Sequence, residues 1–112
     1  MSKPLSLSLP APVAAYFAAD HGDGDAVARC FAEDAIVTDE RRTHVGREAI
    51  RRWKTEASST FSYRTEPFAV DEQAGGVVVS AHVAGNFPGS PVDLRYAFVL
   101  EGDRIAQLEI TA

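Results

Sequence analysis

Cysteine is nearly absent: the chain of 112 residues has one, Cys30. A lone thiol closes no internal disulfide and supplies no paired thiolates for a structural zinc site, so packing has to carry stability and a reducing, cytoplasmic setting is expected. Long apolar runs are lacking as well. No stretch approaches the roughly 20 residues that cross a bilayer, and the Ser-Leu alternation after Lys3 is too short and too polar for a secretion signal. No membrane partner is expected. Basic charge is in deficit, 11 Lys and Arg against 16 Asp and Glu, for a net charge of −5. Neutralising a phosphate backbone takes a positive stripe, so nucleic acid is not an expected partner either. His-x-His pairs, HExxH and a Gly-rich loop leading from strand to helix are all missing, and neither a metal nor a nucleotide cofactor is expected.

What is present is the make-up of one compact domain, 46% hydrophobic and 24% charged. Residues 1–10 read as a tail and residues 11–112 as a single domain. A chain of this size buries about 65% of the surface its unfolded form exposes, so a cavity in its core must be lined from nearly every element.

After Pro10 and Pro12, the apolar residues Val13, Tyr16 and Phe17 stand at i, i+3 and i+4, which predicts a helix ending near His21 and Gly22. A second short helix follows, capped by Asp23 or Gly24 and carrying Val27, Cys30 and Phe31 on one side. The β-branched run 35–38 predicts a short strand entering the charged run Asp39, Glu40, Arg41, Arg42. A third helix is expected from about Gly46 to Ser58, with Ala49, Ile50, Trp53 and Ala57 on one face and the charged side chains Arg47, Glu48, Arg51, Arg52, Lys54 and Glu56 covering the rest. From Phe61 the period falls to two, until Pro67 demands an edge position or a bulge. A turn cluster at 71–76, a strand over 77–83, a second over 92–100, the Gly102-Asp103 hairpin signal and a last strand over 105–111 complete an antiparallel meander. Helices first and long strands afterwards define an α+β domain whose curved sheet wraps its apolar face around the helices.

Strand parity says which side chains meet those helices. Val92, Leu94, Tyr96, Phe98 and Leu100 share one face, and Leu108, Val77, Val79, Ala81 and Val83 join them, while Asp93, Arg95, Ser80 and His82 point outward. Val78, Ala84, Ala97, Val99 and Ala106 also lie outside, and a half-apolar outer sheet face suggests a homodimer interface. Trp53, Phe98, Phe61 and Tyr63 offer an aromatic wall for a flat apolar ligand, or else fill the core.

The segment 16–25 (Tyr-Phe-Ala-Ala-Asp-His-Gly-Asp-Gly-Asp), then 30–39 (Cys-Phe-Ala-Glu-Asp-Ala-Ile-Val-Thr-Asp) and 45–51 (Val-Gly-Arg-Glu-Ala-Ile-Arg) resemble a known pattern. It is that of the nuclear transport factor two-like superfamily, and within it the ketosteroid isomerase and SnoaL-like polyketide cyclase branch. The resemblance covers nearly the whole chain. It implies a cystatin-like cone, a curved and mostly antiparallel sheet closed by three N-terminal helices, with a small hydrophobic molecule as partner and no cofactor. The scaffold hosts isomerases, cyclases, dehydratases, epoxide hydrolases and plain binding modules, so the resemblance speaks to fold more than to chemistry.

Carried over residue by residue, the resemblance puts Asp39 where the isomerases keep the carboxylate that moves a proton between carbons, and Tyr16 where they keep the phenol that donates to the dienolate oxygen. Their second donor, a protonated aspartic acid, falls at Tyr96, a departure that weakens the isomerase reading. Proton transfer next to a carbonyl needs such a base and donors aimed at the oxygen. Asp39 in its charged run is equally a solvated loop residue, and Tyr16 and Tyr96 are equally packing tyrosines. His44 is a further candidate at the pocket mouth. Two functions from different classes remain: a cofactor-independent isomerase or cyclase acting on a hydrophobic carbonyl compound, and a non-catalytic ligand-binding or dimerisation module of the same fold.

Overall fold

The computed structural model describes residues 9–19, 24–60, 62–73 and 75–112. Three helices come first, α1 (Ala11–Ala19), α2 (Gly24–Ala28) and α3 (Arg47–Thr60), with the hairpin of β1 (Phe31–Asp39) and β2 (Arg42–Val45) between the last two. The meander of β3 (Tyr63–Gln73), β4 (Gly76–Gly85), β5 (Val92–Glu101) and β6 (Arg104–Thr111) follows.

In α1 the buried side chains are Pro12, Val13, Tyr16 and Phe17, the i, i+3, i+4 face expected from the sequence. Pro12 sits in the first turn, where its missing N–H costs nothing. The end of this helix near His21 and Gly22 lies outside the described residues. Helix α2 presses against α3 so closely that a Cβ on Gly24 would fall 2.2 Å from Thr55 Oγ1 and 2.7 Å from the Arg51 carbonyl, and only glycine fits. Along α3, Ile50, Trp53 and Lys54 are buried, while Glu48 on the far side pairs with Arg51 and with Arg52 at 3.5 Å.

The six strands form one curled, unclosed sheet in the order β2-β1-β6-β5-β4-β3. Every neighbouring pair is antiparallel except β1 with β6, which run parallel. Val77, Val79 and Ala81 of β4, Tyr96 and Phe98 of β5 and Leu108 of β6 are buried together with the apolar faces of α1 and α3, as strand parity requires. On the other face, His82 Nδ1 meets Asp93 Oδ1 at 2.8 Å across the β4–β5 pairing, both side chains pointing outward as parity requires.

Several boundaries differ from the sequence expectation. The short strand of 35–38 is the middle of a nine-residue strand, and Phe31, expected on the second helix, opens it. Strand β2 was not foreseen: Arg42, Thr43, His44 and Val45 carry no apolar alternation because none of them is buried. Glu40 and Arg41 make the turn between β1 and β2 with φ of 53° and 66°, a left-handed conformation that costs non-glycine residues about 1–2 kcal/mol each. Strand β3 runs straight through Pro67 into the foreseen turn cluster, because it is an edge strand and its register slips between Pro67 and Ala69. Among the described residues, no helix is long and apolar enough to cross a membrane.

Candidate functional site

The curl of the sheet leaves a cavity of about 460 Å³ between its inner face and the helices. Tyr16 of α1, Trp53 and Lys54 of α3, and Tyr63 of β3 line one part of it; Asp39 and Glu40 reach it from the end of β1 and its turn. Val83, Leu94, Tyr96 and Ile110 contribute the sheet floor, and Phe87 and Pro88 of the β4–β5 loop complete the wall. Nearly every element supplies a residue, as a core this small dictates.

Asp39 is the last residue of β1, half-buried, and paired in register with Ile110 of β6. Its Oδ2 accepts a hydrogen bond from Trp53 Nε1 at 3.0 Å. The carboxylate of the charged run is thus turned inward and held by an indole, and Arg42 opposite it belongs to the next strand. Tyr16 is fully buried, with its ring edge-on to those of Phe17 and Phe31 at centroid distances of 5.2 and 6.0 Å, and 6.2 Å from the ring of Tyr96. Asp39, Tyr16 and Tyr96 therefore open on one cavity, together with Trp53 and Tyr63 from the expected aromatic wall.

One expected wall residue, Phe98, and the candidate for the pocket mouth, His44, do not line the cavity. Phe98 points inward as parity requires, but packs between Tyr16, Phe17 and Tyr96, at 5.6, 5.9 and 6.4 Å, and is core. His44 lies on β2 with its ring 5.9 Å from that of Trp53 and does not line the cavity; the added strand β2 carries it past the mouth. Phe61 lies outside the described residues. Cys30 is buried under α2, where burial pushes its thiol up from the ordinary value and the positive Arg104 partly opposes this.

The residue that the sequence pattern did not single out is Lys54. It is 4% exposed, and its Nζ donates to Tyr63 Oη at 3.1 Å while standing 4.7 Å from the Trp53 ring centroid, 5.5 Å from Tyr63 and 5.6 Å from Tyr16. The helix period held the signal, since Lys54 follows Ile50 by four and shares its face. Among the described residues no cluster of His, Cys, Asp and Glu is grouped as metal ligands.

A curled sheet closed by helices over an aromatic cavity is the nuclear transport factor two-like, cystatin-like architecture. Residues 13–107 match the family model of the SnoaL-like domain, and the chain belongs to that family. A candidate polyketide cyclase from Sinorhizobium meliloti is 45% identical and superposes with a TM-score of 0.88 over 92% of this chain and 95% of its own. A protein of ketosteroid isomerase-like fold from Catenulispora acidiphila, in complex with trimethylamine, shares the fold at 22% identity, with a TM-score of 0.84 over 94% of this chain and 87% of its own. The epoxide hydrolase/cyclase-like enzyme SalBIII, of pyran ring formation in the polyether salinomycin, does so at 22% identity and a TM-score of 0.74, over 88% and 85% of the two chains. No curated protein matches the sequence significantly.

Proposed function

We propose that the chain is a small cofactor-independent enzyme of the isomerase or cyclase kind, binding a hydrophobic carbonyl compound in the cavity. The observation that carries this reading is the convergence of Asp39, Tyr16 and Tyr96 on one cavity, with Asp39 accepting from Trp53 Nε1 at 3.0 Å. Asp39 takes a proton from the carbon next to the carbonyl. The C–H electron pair becomes the enolate π bond, and the carbonyl pair moves onto oxygen, where hydroxyl donors meet the developing charge. In an isomerisation Asp39 returns the proton to a different carbon. In a cyclisation the enolate carbon bonds to a second carbonyl carbon, and the proton goes to that carbonyl's oxygen. The 45% identity to a candidate polyketide cyclase favours the cyclase form.

Wild-type protein incubated in D2O with steroid-like and polyketide-like ketones tests the reading, followed by proton NMR and by melting temperature. Binding at a hundred times Kd stabilises the native state by about 2.7 kcal/mol, and turnover appears as loss of the α-proton signal. Binding without exchange would identify the non-catalytic module, and no shift across the library would sink both readings.

The same fold supports a homodimer through the outer sheet face, where Val99 is 43% exposed beside Ala97. Light scattering should then give twice the chain mass, and Val99→Asp should give the monomer. A monomeric wild type would refute the dimer.

A further inference from the structure

We propose that the ligand carries a delocalised oxyanion, a carboxylate or the enolate of a 1,3-dicarbonyl, and that Lys54 with Tyr63 is the pair that binds it. The inference rests on the cavity being the binding site and names the chemical class that the site selects.

A lysine at 4% exposure is rare in a domain of this size, because desolvating an ammonium is costly unless something replaces the water. Here aromatic faces supply part of that replacement. The faces of Trp53, Tyr63 and Tyr16 lie 4.7, 5.5 and 5.6 Å from Nζ, and ring quadrupoles of that kind favour the charged form of the amine. We take the group that reaches the cavity as the ammonium, the form that these ring faces stabilise. Its Tyr63 contact puts an ammonium and a phenol 3.1 Å apart on the same wall, a geometry in which one oxyanion can accept from both.

The wall is also electrically ordered. The Trp53 indole donates through Nε1 to Asp39 and carries the Lys54 ammonium over its ring, so the base and the cation are tied to a single rigid plate. A ligand whose oxyanion seats at Lys54 and Tyr63 is held in one orientation, its hydrocarbon against Val83, Leu94 and Ile110. A neutral ligand gains no charge-assisted hydrogen bond at this pair.

The test is calorimetric binding of two matched pairs: 4-phenylbutyrate against 5-phenyl-2-pentanone, and 5-phenyl-1,3-cyclohexanedione, an enolate at neutral pH, against 3-phenylcyclohexanone. In wild type at least one anion should bind tighter than its neutral partner by about tenfold to a hundredfold, the range of a charge-assisted hydrogen bond. Which pair shows the preference separates a carboxylate ligand from an enolate. Lys54→Met should bring anion and ketone to within about twofold, and Lys54→Gln, which keeps a donor for Tyr63 without the charge, should do the same if the methionine variant does not fold. Equal binding of anion and ketone in wild type, or a preference that survives loss of the charge, overturns the proposal while leaving the cavity reading intact. Failure of all four compounds to bind overturns the cavity reading itself.

Discussion

Replacing Asp39 by asparagine should lower the rate of α-proton exchange in a bound ketone by about 10²- to 10⁴-fold, the contribution of a positioned general base. The substitution is well isolated. Asparagine keeps a carbonyl oxygen where Asp39 Oδ2 accepts from Trp53 Nε1, so the indole keeps its partner and the end of β1 keeps its anchor. It removes only the proton-accepting power of the group and its charge. Ligand affinity should hold, so the loss falls on kcat and not on KM. Exchange measured in D2O by proton NMR, with calorimetry of the same ketone, separates the two. Unchanged exchange with unchanged binding would remove Asp39 from the chemistry.

Phe31→Ala should destabilise the fold by about 3–5 kcal/mol, the usual cost of emptying a buried aromatic site. Phe31 opens β1, has no solvent exposure, and supports the ring of Tyr16 edge-on. It pairs with Ile105 of β6, and its carbonyl accepts from Arg47 Nε at 2.8 Å, so the backbone around it is tied to α3 and to the last strand. The surroundings therefore have little freedom to collapse into the space left. For a chain of this length such a loss should lower the melting temperature by roughly 12–20 °C. Thermal unfolding followed by circular dichroism checks it, and a fall under about 5 °C would mean that the site relaxes and that Tyr16 does not depend on it.

The strands of the meander were legible because burial writes itself into alternate residues. Tyr96, Phe98, Val77, Val79 and Leu108 all point as parity requires. The β1–β2 hairpin was not, for two physical reasons. Its second strand buries nothing and so has no period, and its turn uses Glu40 and Arg41 at positive φ where sequence signals would call for Asn or Gly. That turn also decides how Asp39 lies. Read as four charges in a row it is a solvated loop, but a reversal after Asp39 sends Arg42 back along the strand and leaves the carboxylate beside Trp53. Lys54 was hidden by its residue type: among the charges of α3 it reads as surface, although its place four residues after Ile50 puts it inside. The places of Phe98 and His44 depend on ångström-scale packing that no period encodes, namely which side of a neighbouring ring each one packs against.

The parallel pairing of β1 with β6 has a consequence for how the molecule is made. Strand β1 and its hairpin join the meander through residues 105–110 alone, so the wall bearing Asp39 has no sheet to rest on until the last strand is in place. On a ribosome the N-terminal helices and β1 must wait while most of the chain is synthesised, since the contact spans some 70 residues of sequence, and long-range closure of that kind slows folding. The Asp39 carboxylate and the cavity it lines thus come into existence together, at the final step, and a nascent chain has no half-formed pocket to occupy.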